Sequence, residues 1–200
     1  MPKLILASAS PRRKEILSHL GLEFTTIVAD ADEETGLPSN PDRLVEILAG
    51  RKAKKILTHK DYTNGDLIIG ADTIVCYKDK ILTKPRSKEE AKKMLKMLSN
   101  HEHTVHSGIC ITDGHSSAYA SECTTVKMRK ISKEEIDAYI ETGEPLDKAG
   151  AYGIQDLGGI FVEYIKGDYY TVVGLPLEKL ALLLDVCFDY KILENTKNKK

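Results

Sequence analysis

The sequence predicts an α/β domain built on a mixed sheet. Early in the chain, short apolar runs alternate with helical patterns, as strands and helices do when they are joined in sequence. Later, β-like runs come in pairs joined at turn residues, which adds antiparallel strands to the same sheet. The chain has 200 residues, 42% hydrophobic and 30% charged, enough to bury a core without staples.

The elements follow in order. Residues 3–8 read as a buried strand, and Pro11 suits the first turn of a helix running to about Leu20. Gly21 ends that helix, and residues 23–28 read as a second strand. Residues 30–41 carry Gly36, Pro38 and Pro41 and read as a loop. Leu44, Ile47, Leu48 and Ile56 lie near helical spacing, so residues 42–57 read as a helix. Residues 66–77 form a β-rich run that turns at Lys78-Asp79 into a short strand at 81–82.

Ser87 opens a helix with the Ser87/Glu90 spacing of a capping box, and Met94, Leu95 and Leu98 form its apolar face. Residues 104–112 and 118–128 read as strands joined at Asp113-Gly114. Ser132 and Glu135 repeat the capping signal for a helix ending near Gly143. Residues 161–166 and 169–173 read as a hairpin around Gly167-Asp168, and a last helix starts at Pro176. Residues 1–190 are taken as a single domain and residues 191–200 as a disordered basic tail.

Composition limits the function. The formal net charge is -1, so no global basic field recruits nucleic acid, and any site for phosphates must be a local cluster of cations. The four cysteines, Cys76, Cys110, Cys123 and Cys187, have no zinc spacing. Three lie in β-like apolar runs, which favours buried, reduced thiols and a cytoplasmic setting. No signal-peptide pattern opens the chain, and no apolar run reaches membrane-spanning length.

Five segments carry chemistry. In the first, Ser8, Ser10, Arg12 and Arg13 lie where a buried strand gives way to a helix. Hydroxyls, guanidiniums and free helix amides together suit a phosphate group. The same residues also fit an N-cap serine followed by solvated arginines. In the second, Asp72 sits in Gly70-Ala71-Asp72-Thr73 within an apolar run. A carboxylate is costly to bury unpaired, so Asp72 fits a metal ligand or a base that activates water. It also fits a capping residue or a partner for a lysine.

The third is the acidic run Asp30, Asp32, Glu33 and Glu34, either solvated or supplying one carboxylate to share Mg²⁺ with Asp72. The fourth is the pair of lysines Lys52 and Lys84. The fifth, residues 147–159, holds four glycines within ten residues, which implies close backbone approach or positive φ. There Gln155 offers a donor and an acceptor to a base edge. Tyr152, Tyr164, Tyr169 and Tyr170 could stack on a base or fill a core. His101, His103 and His106 are spaced wrongly for a shared metal and read as structural or solvated.

Taken in order, Ser8-Ala9-Ser10-Pro11-Arg12-Arg13, Lys52-Ala53, Gly70-Ala71-Asp72-Thr73, Lys84-Pro85 and Lys148-Ala149-Gly150-Ala151-Tyr152-Gly153-Ile154-Gln155 resemble the Maf family over residues 3–187. Residues 122–126 and 143–147 fit as well. The resemblance implies a long mixed sheet in two lobes around a cleft, related to the inosine-triphosphate pyrophosphatases. It also implies hydrolysis of a nucleoside triphosphate to monophosphate and pyrophosphate with Mg²⁺ or Mn²⁺, and a possible homodimer.

The S-x-S-P-R-R opening and the A-G-A-Y-G-I-Q segment resemble the subgroup acting on dTTP and UTP, and modified pyrimidine nucleotides are a further expectation. On this resemblance Asp72 is the proton acceptor, and Arg12, Thr73 and Gln155 are specificity residues. Ser8, Arg13, Lys52 and Lys84 surround the phosphates, and Glu33 joins Asp72 at the metal. Asp156 stands where the family usually has glycine, and a carboxylate there would shift specificity or repel substrate. The alternatives are a 7-methyl-GTP pyrophosphatase and a nucleotide-binding regulator of cell division with little catalysis.

Overall fold

The structure, a computed structural model, describes residues 2–28, 31–32 and 35–196. In chain order the elements are β1 (Leu4–Ala7), α1 (Pro11–His19), β2 (Phe24–Thr26), α2 (Pro41–Ile56), β3 (Leu67–Tyr77), β4 (Lys80–Leu82) and α3 (Lys88–Leu98). There follow β5 (Glu102–Thr112), β6 (Ser117–Met128), α4 (Lys133–Glu141), three 3₁₀ turns between 144 and 161, β7 (Val162–Lys166), α5 (Tyr169–Val173), α6 (Leu177–Phe188) and α7 (Ile192–Asn195). Among the described residues the seven strands make one sheet in the order β2-β1-β3-β5-β6-β7, with β4 pairing β3. β1 pairs β2 and β3 in parallel, whereas β3–β4 and β6–β7 are antiparallel. The sheet is therefore mixed, as the change from alternating to paired elements predicts.

The chain divides into two compact units. The first comprises the residues up to Asp72, Ser107–Glu122 and those from Gly174 onward. The second comprises Thr73–His106 and Cys123–Val173. In the first unit Ile5, Ala7, Ala49, Ala53, Ile56, Ile68 and Cys110 are buried together. All four residues of β1 are buried, as a strand flanked by two others and covered by a helix requires. Asp66 fastens its start: its carboxylate accepts from the amides of Lys3 and Thr63. In the second unit Leu95 and Leu98 of α3 and Ile136, Tyr139 and Ile140 of α4 share a core with Val126, Met128, Tyr152 and Phe161.

Helix starts follow local chemistry. Asn40 and Ser87 each accept a bond from an amide three residues on, and Ser132 with Glu135 completes a reciprocal capping box. At Ser87 the box is half made, because Glu90 takes the amide of Arg86 instead. Residues 169–173 differ from the predicted strand and form α5. Gly167 turns the chain at φ 129°, and the Asp168 carboxylate accepts from the Thr171 amide at 2.6 Å and its hydroxyl at 2.8 Å. That side chain does what a helix N-cap does, and helix follows despite β-branched residues. Of the segment predicted as a tail, Ile192–Asn195 is helical, and residues 197–200 lie outside the described residues.

Cys76 and Cys110 are buried, but Cys123 is exposed. On β6 successive side chains face opposite ways, and it is Thr124 that points inward. Among the described residues no helix is long and apolar enough to cross a membrane.

Candidate active site

The first unit gathers a buried carboxylate, a lysine, an arginine and a serine. The register Ala7↔Gly70 sets the end of β1 beside the middle of β3. Beyond that end Ser8 is buried, and its hydroxyl oxygen accepts from the Ser10 amide at 3.2 Å and from the Arg13 guanidinium at 3.0 Å. Ser10 is the N-cap of α1, but its side chain makes no capping bond. Pro11 supplies the fixed φ of the first turn.

Arg13 is buried, so it is not the solvated arginine the sequence allowed. The same nitrogen that reaches Ser8 donates to the carbonyl of Ala71 at 2.9 Å, and Nε donates to that of Gly174 at 2.7 Å. It ties α1 to the residue preceding Asp72. Arg12, next to it, is half-buried.

Asp72 is buried on β3. Lys52, one residue before the buried Ala53 of α2, reaches its Oδ1 with Nζ at 2.5 Å. The two side chains are 16% and 12% exposed, so the pair is shielded yet open to solvent on one side. The sequence allowed Asp72 a lysine partner, and the structure identifies Lys52 as that partner. The close approach depends on Gly70. A β-carbon there would stand 2.2 Å from the Ala49 carbonyl and 3.0 Å from the Ala53 methyl carbon.

Asp30, Glu33 and Glu34 of the acidic run lie outside the described residues. Asp32 is described, and it accepts from the Thr35 amide at 3.1 Å. Arg51 donates to the carbonyls of Asp32 and Thr35 at 3.0 and 2.5 Å. Arg51 thus ties Asp32 and Thr35 to α2, a role the sequence did not suggest because surface arginines are common. Among the described residues no group of three or more His, Cys, Asp or Glu is gathered for a metal. The described donor set is the single carboxylate of Asp72. Its chemistry suits Mg²⁺, which is commonly held by one or two carboxylates together with substrate phosphates.

The second unit holds the other candidates. Thr73 is half-buried on β3, and Lys84 is exposed between β4 and the buried Pro85. The carbonyl of Thr83 accepts from the Gly150 amide at 3.3 Å, so the Lys84 segment lies against the glycine-rich segment. Gly150 has φ 68°, and a β-carbon would meet Val75 at 3.0 Å, which confirms the close approach read from its glycines.

Gln155 is exposed, and Asp156 beside it is exposed too. Asp156 does not stand alone. Lys148 is buried, and its ammonium lies 2.7 Å from Asp147 and 3.5 Å from Asp156. The carboxylate suspected of repelling substrate faces a cation of its own protein.

The aromatic and histidine candidates separate. Tyr152 is buried, its hydroxyl 2.7 Å from Nε2 of His103. His103 is also buried, its Nδ1 lacks a hydrogen-bond partner, and burial pushes its imidazole down to about 4. Tyr169 and Tyr170 are exposed and meet edge to face at 5.6 Å. Tyr164 is exposed and bonds Glu102. His106 meets the Thr104 hydroxyl and lies 3.6 Å from the Cys123 sulfur. Among the described residues none of the three histidines belongs to a group of three or more His, Cys, Asp or Glu side chains gathered for a metal.

Comparison with known proteins adds a second line of observation. A family model described as Maf-like protein matches residues 3–187. A protein named dTTP/UTP pyrophosphatase from Bacillus cereus (strain AH187) is 47% identical over 181 residues, covering 90% of this chain and 93% of that one. A protein of the same name from Bacillus anthracis (strain CDC 684 / NRRL 3495) is 48% identical over 182 residues, with the same coverage. The structure of the Staphylococcus aureus Ham1 protein aligns with a TM-score of 0.44 at 13% identity, over 63% of this chain and 71% of that chain.

Proposed function

The chain belongs to the Maf-like protein family, and on that premise we propose that it is a nucleoside triphosphate pyrophosphatase acting on dTTP and UTP. Relatives at 47–48% identity across 90% of the chain carry that activity in their names. The observation in the molecule that supports it most is the shielded Lys52–Asp72 pair beside the Ser8–Arg13 turn.

In this reading a water oxygen attacks the α phosphorus of the nucleotide. The Asp72 carboxylate takes the water's proton, the bond to the bridging oxygen breaks, and pyrophosphate leaves. Lys52 holds Asp72 in place and adds positive charge where phosphate charge gathers. Ser8, Arg12, Arg13 and Lys84 orient the phosphates. Arg13 does so chiefly by fixing Ser8 and Ala71, to which its guanidinium is bonded.

A Mg²⁺ or Mn²⁺ ion, held by Asp72 and Glu33, would neutralise phosphate charge. A uracil or thymine offers carbonyl acceptors and one N–H, which suits Gln155, Thr73 and Arg12 as readers of the base.

A cytoplasmic setting and a homodimer belong to the same reading. Leu182 and Val186 on α6 and Leu193 on α7 are exposed and apolar, which suits a contact between copies. The net charge of -1 gives no field for nucleic acid.

The test is pyrophosphate release from a panel of nucleotides with Mg²⁺, with Mn²⁺ and with EDTA. Metal-dependent release from dTTP and UTP, with monophosphate as co-product, is the expected result. Release only from 7-methyl-GTP would keep the chemistry and overturn the specificity. Binding without release would overturn the catalytic reading.

A further inference from the structure

We infer that Glu144 is a positioning residue for base selectivity: its carboxylate fixes the neck of the 153–159 loop and so the place of Gln155. The inference rests on the reading of Gln155 as a base-recognition residue. Three donors converge on Glu144. The Tyr139 hydroxyl donates to Oε1 at 2.7 Å, the Gly158 amide to the same oxygen at 3.0 Å, and the Leu157 amide to Oε2 at 3.1 Å. A carboxylate is the side chain suited to this, since ionised it accepts at both oxygens and donates nowhere. Bonds to an ionised acceptor are also the stronger kind. Tyr139 is held as a donor, because burial and then the Glu144 carboxylate push its phenol well above the ordinary range.

The loop leaves no slack between this anchor and Gln155. A β-carbon on Gly158 would stand 2.5 Å from the Tyr139 oxygen and 2.9 Å from both N and O of Gly153. One on Gly159 would stand 2.5 Å from the Ile154 carbonyl oxygen. The two sides of the loop therefore touch backbone to backbone, with Gln155 and Asp156 exposed at its tip. Leu157, bonded to Glu144, lies two residues from Gln155, and a shift of that amide moves the tip. Lys148 backs the other side, where a β-carbon on Gly153 would stand 2.7 Å from its Cε.

The test compares Glu144→Gln and Tyr139→Phe with the unaltered chain, measuring kcat and KM for UTP, dTTP, CTP and GTP alongside Tm. In Glu144→Gln an amide NH₂ faces a backbone donor. KM for UTP is then expected to rise about tenfold, the scale of one lost bond to a charged acceptor. The UTP-to-GTP ratio of kcat/KM should fall with it, while kcat for UTP changes less. A uniform loss across nucleotides, or none, in a folded variant would overturn the inference.

Tyr139→Phe keeps the ring against Phe161, at 5.1 Å. It decides the question by the same ratio if Glu144→Gln does not fold. Gln155→Ala separates the two ideas. A ratio moved by Gln155→Ala but not by the Glu144 variant sinks the Glu144 role alone. The reverse sinks the Gln155 reading and, with it, the inference that Glu144 acts by placing Gln155.

Discussion

The carbonyl oxygen of Ala49 lies 2.2 Å from where a β-carbon on Gly70 would be. That relationship sets the distance between α2, which carries Lys52, and β3, which carries Asp72. Gly70→Ala is expected to push the helix off the strand, at ~3 kcal/mol or more for overpacking against backbone. For a chain of this size that is a fall in Tm of roughly 6–12 °C. Turnover should fall with it, since Lys52 loses its reach to Asp72. Thermal unfolding and pyrophosphate release on one preparation check both. An unchanged Tm would mean the strand and helix adapt to the methyl.

Asp72→Asn should leave the fold in place and remove the reaction. The amide has the carboxylate's shape but cannot take a proton, and a positioned base contributes about 10²–10⁴-fold. A loss of that size in kcat for UTP is expected, with Tm within about 4 °C of the unaltered chain. Turnover near the original level would remove Asp72 from the mechanism.

The buried His103 makes stability depend on pH. Burial holds its imidazole down at about 4, whereas the unfolded chain binds that proton at about 6.5. Between those values the unfolded state carries the extra proton. The contribution is whole above about 6.5, declines as pH falls, and levels off below about 4. From pH 7.5 to pH 5 the loss is ~2 kcal/mol from this residue. Urea unfolding at the two values should show it, and His103→Gln, which can still bond Tyr152, should lessen the difference by that amount. An equal pH dependence in the variant would place the acid sensitivity elsewhere.

Asp156→Gly tests whether the carboxylate beside Gln155 opposes substrate. It lies 3.5 Å from Lys148 and is 46% exposed, and Lys148 keeps Asp147 at 2.7 Å without it. The carboxylate end of the pair is open to solvent and its 3.5 Å separation is long, so the pair is worth ~1 kcal/mol or less, and kcat/KM for UTP is expected to change by less than about fivefold. A rise well beyond that would mean that Asp156 holds activity down, and would favour the regulator reading.

What the sequence made legible was local. Pro11, Ser87 and Ser132 marked helix starts because capping is settled within a few residues. Gly150 and Gly158 signalled what glycine permits: the first has φ 68°, and a β-carbon on the second would stand 2.9 Å from the Gly153 backbone. The misread segment at 169–173 was local too, but its β-branched residues hid what the Asp168 side chain does. The lysine partner of Asp72 was left open because Lys52 lies on another element. The work of Arg13 depends on carbonyls 58 and 161 residues away, and no spacing rule reaches so far. Glu144 was hidden for another reason: two of its three donors are backbone amides, which every residue but proline has.

The bond from Arg13 to Gly174 also orders events in time. Translation delivers Ser8 and Arg13 first, Ala71 next and Gly174 late, so a nascent chain spends most of its synthesis without the carbonyl that accepts from Nε of Arg13. A message truncated between residues 72 and 174 would encode Asp72 and Lys52 yet leave the arginine without one of its acceptors. Termination in that stretch is then expected to give a chain that carries the Lys52–Asp72 residues but lacks the backbone carbonyl that holds Nε of Arg13.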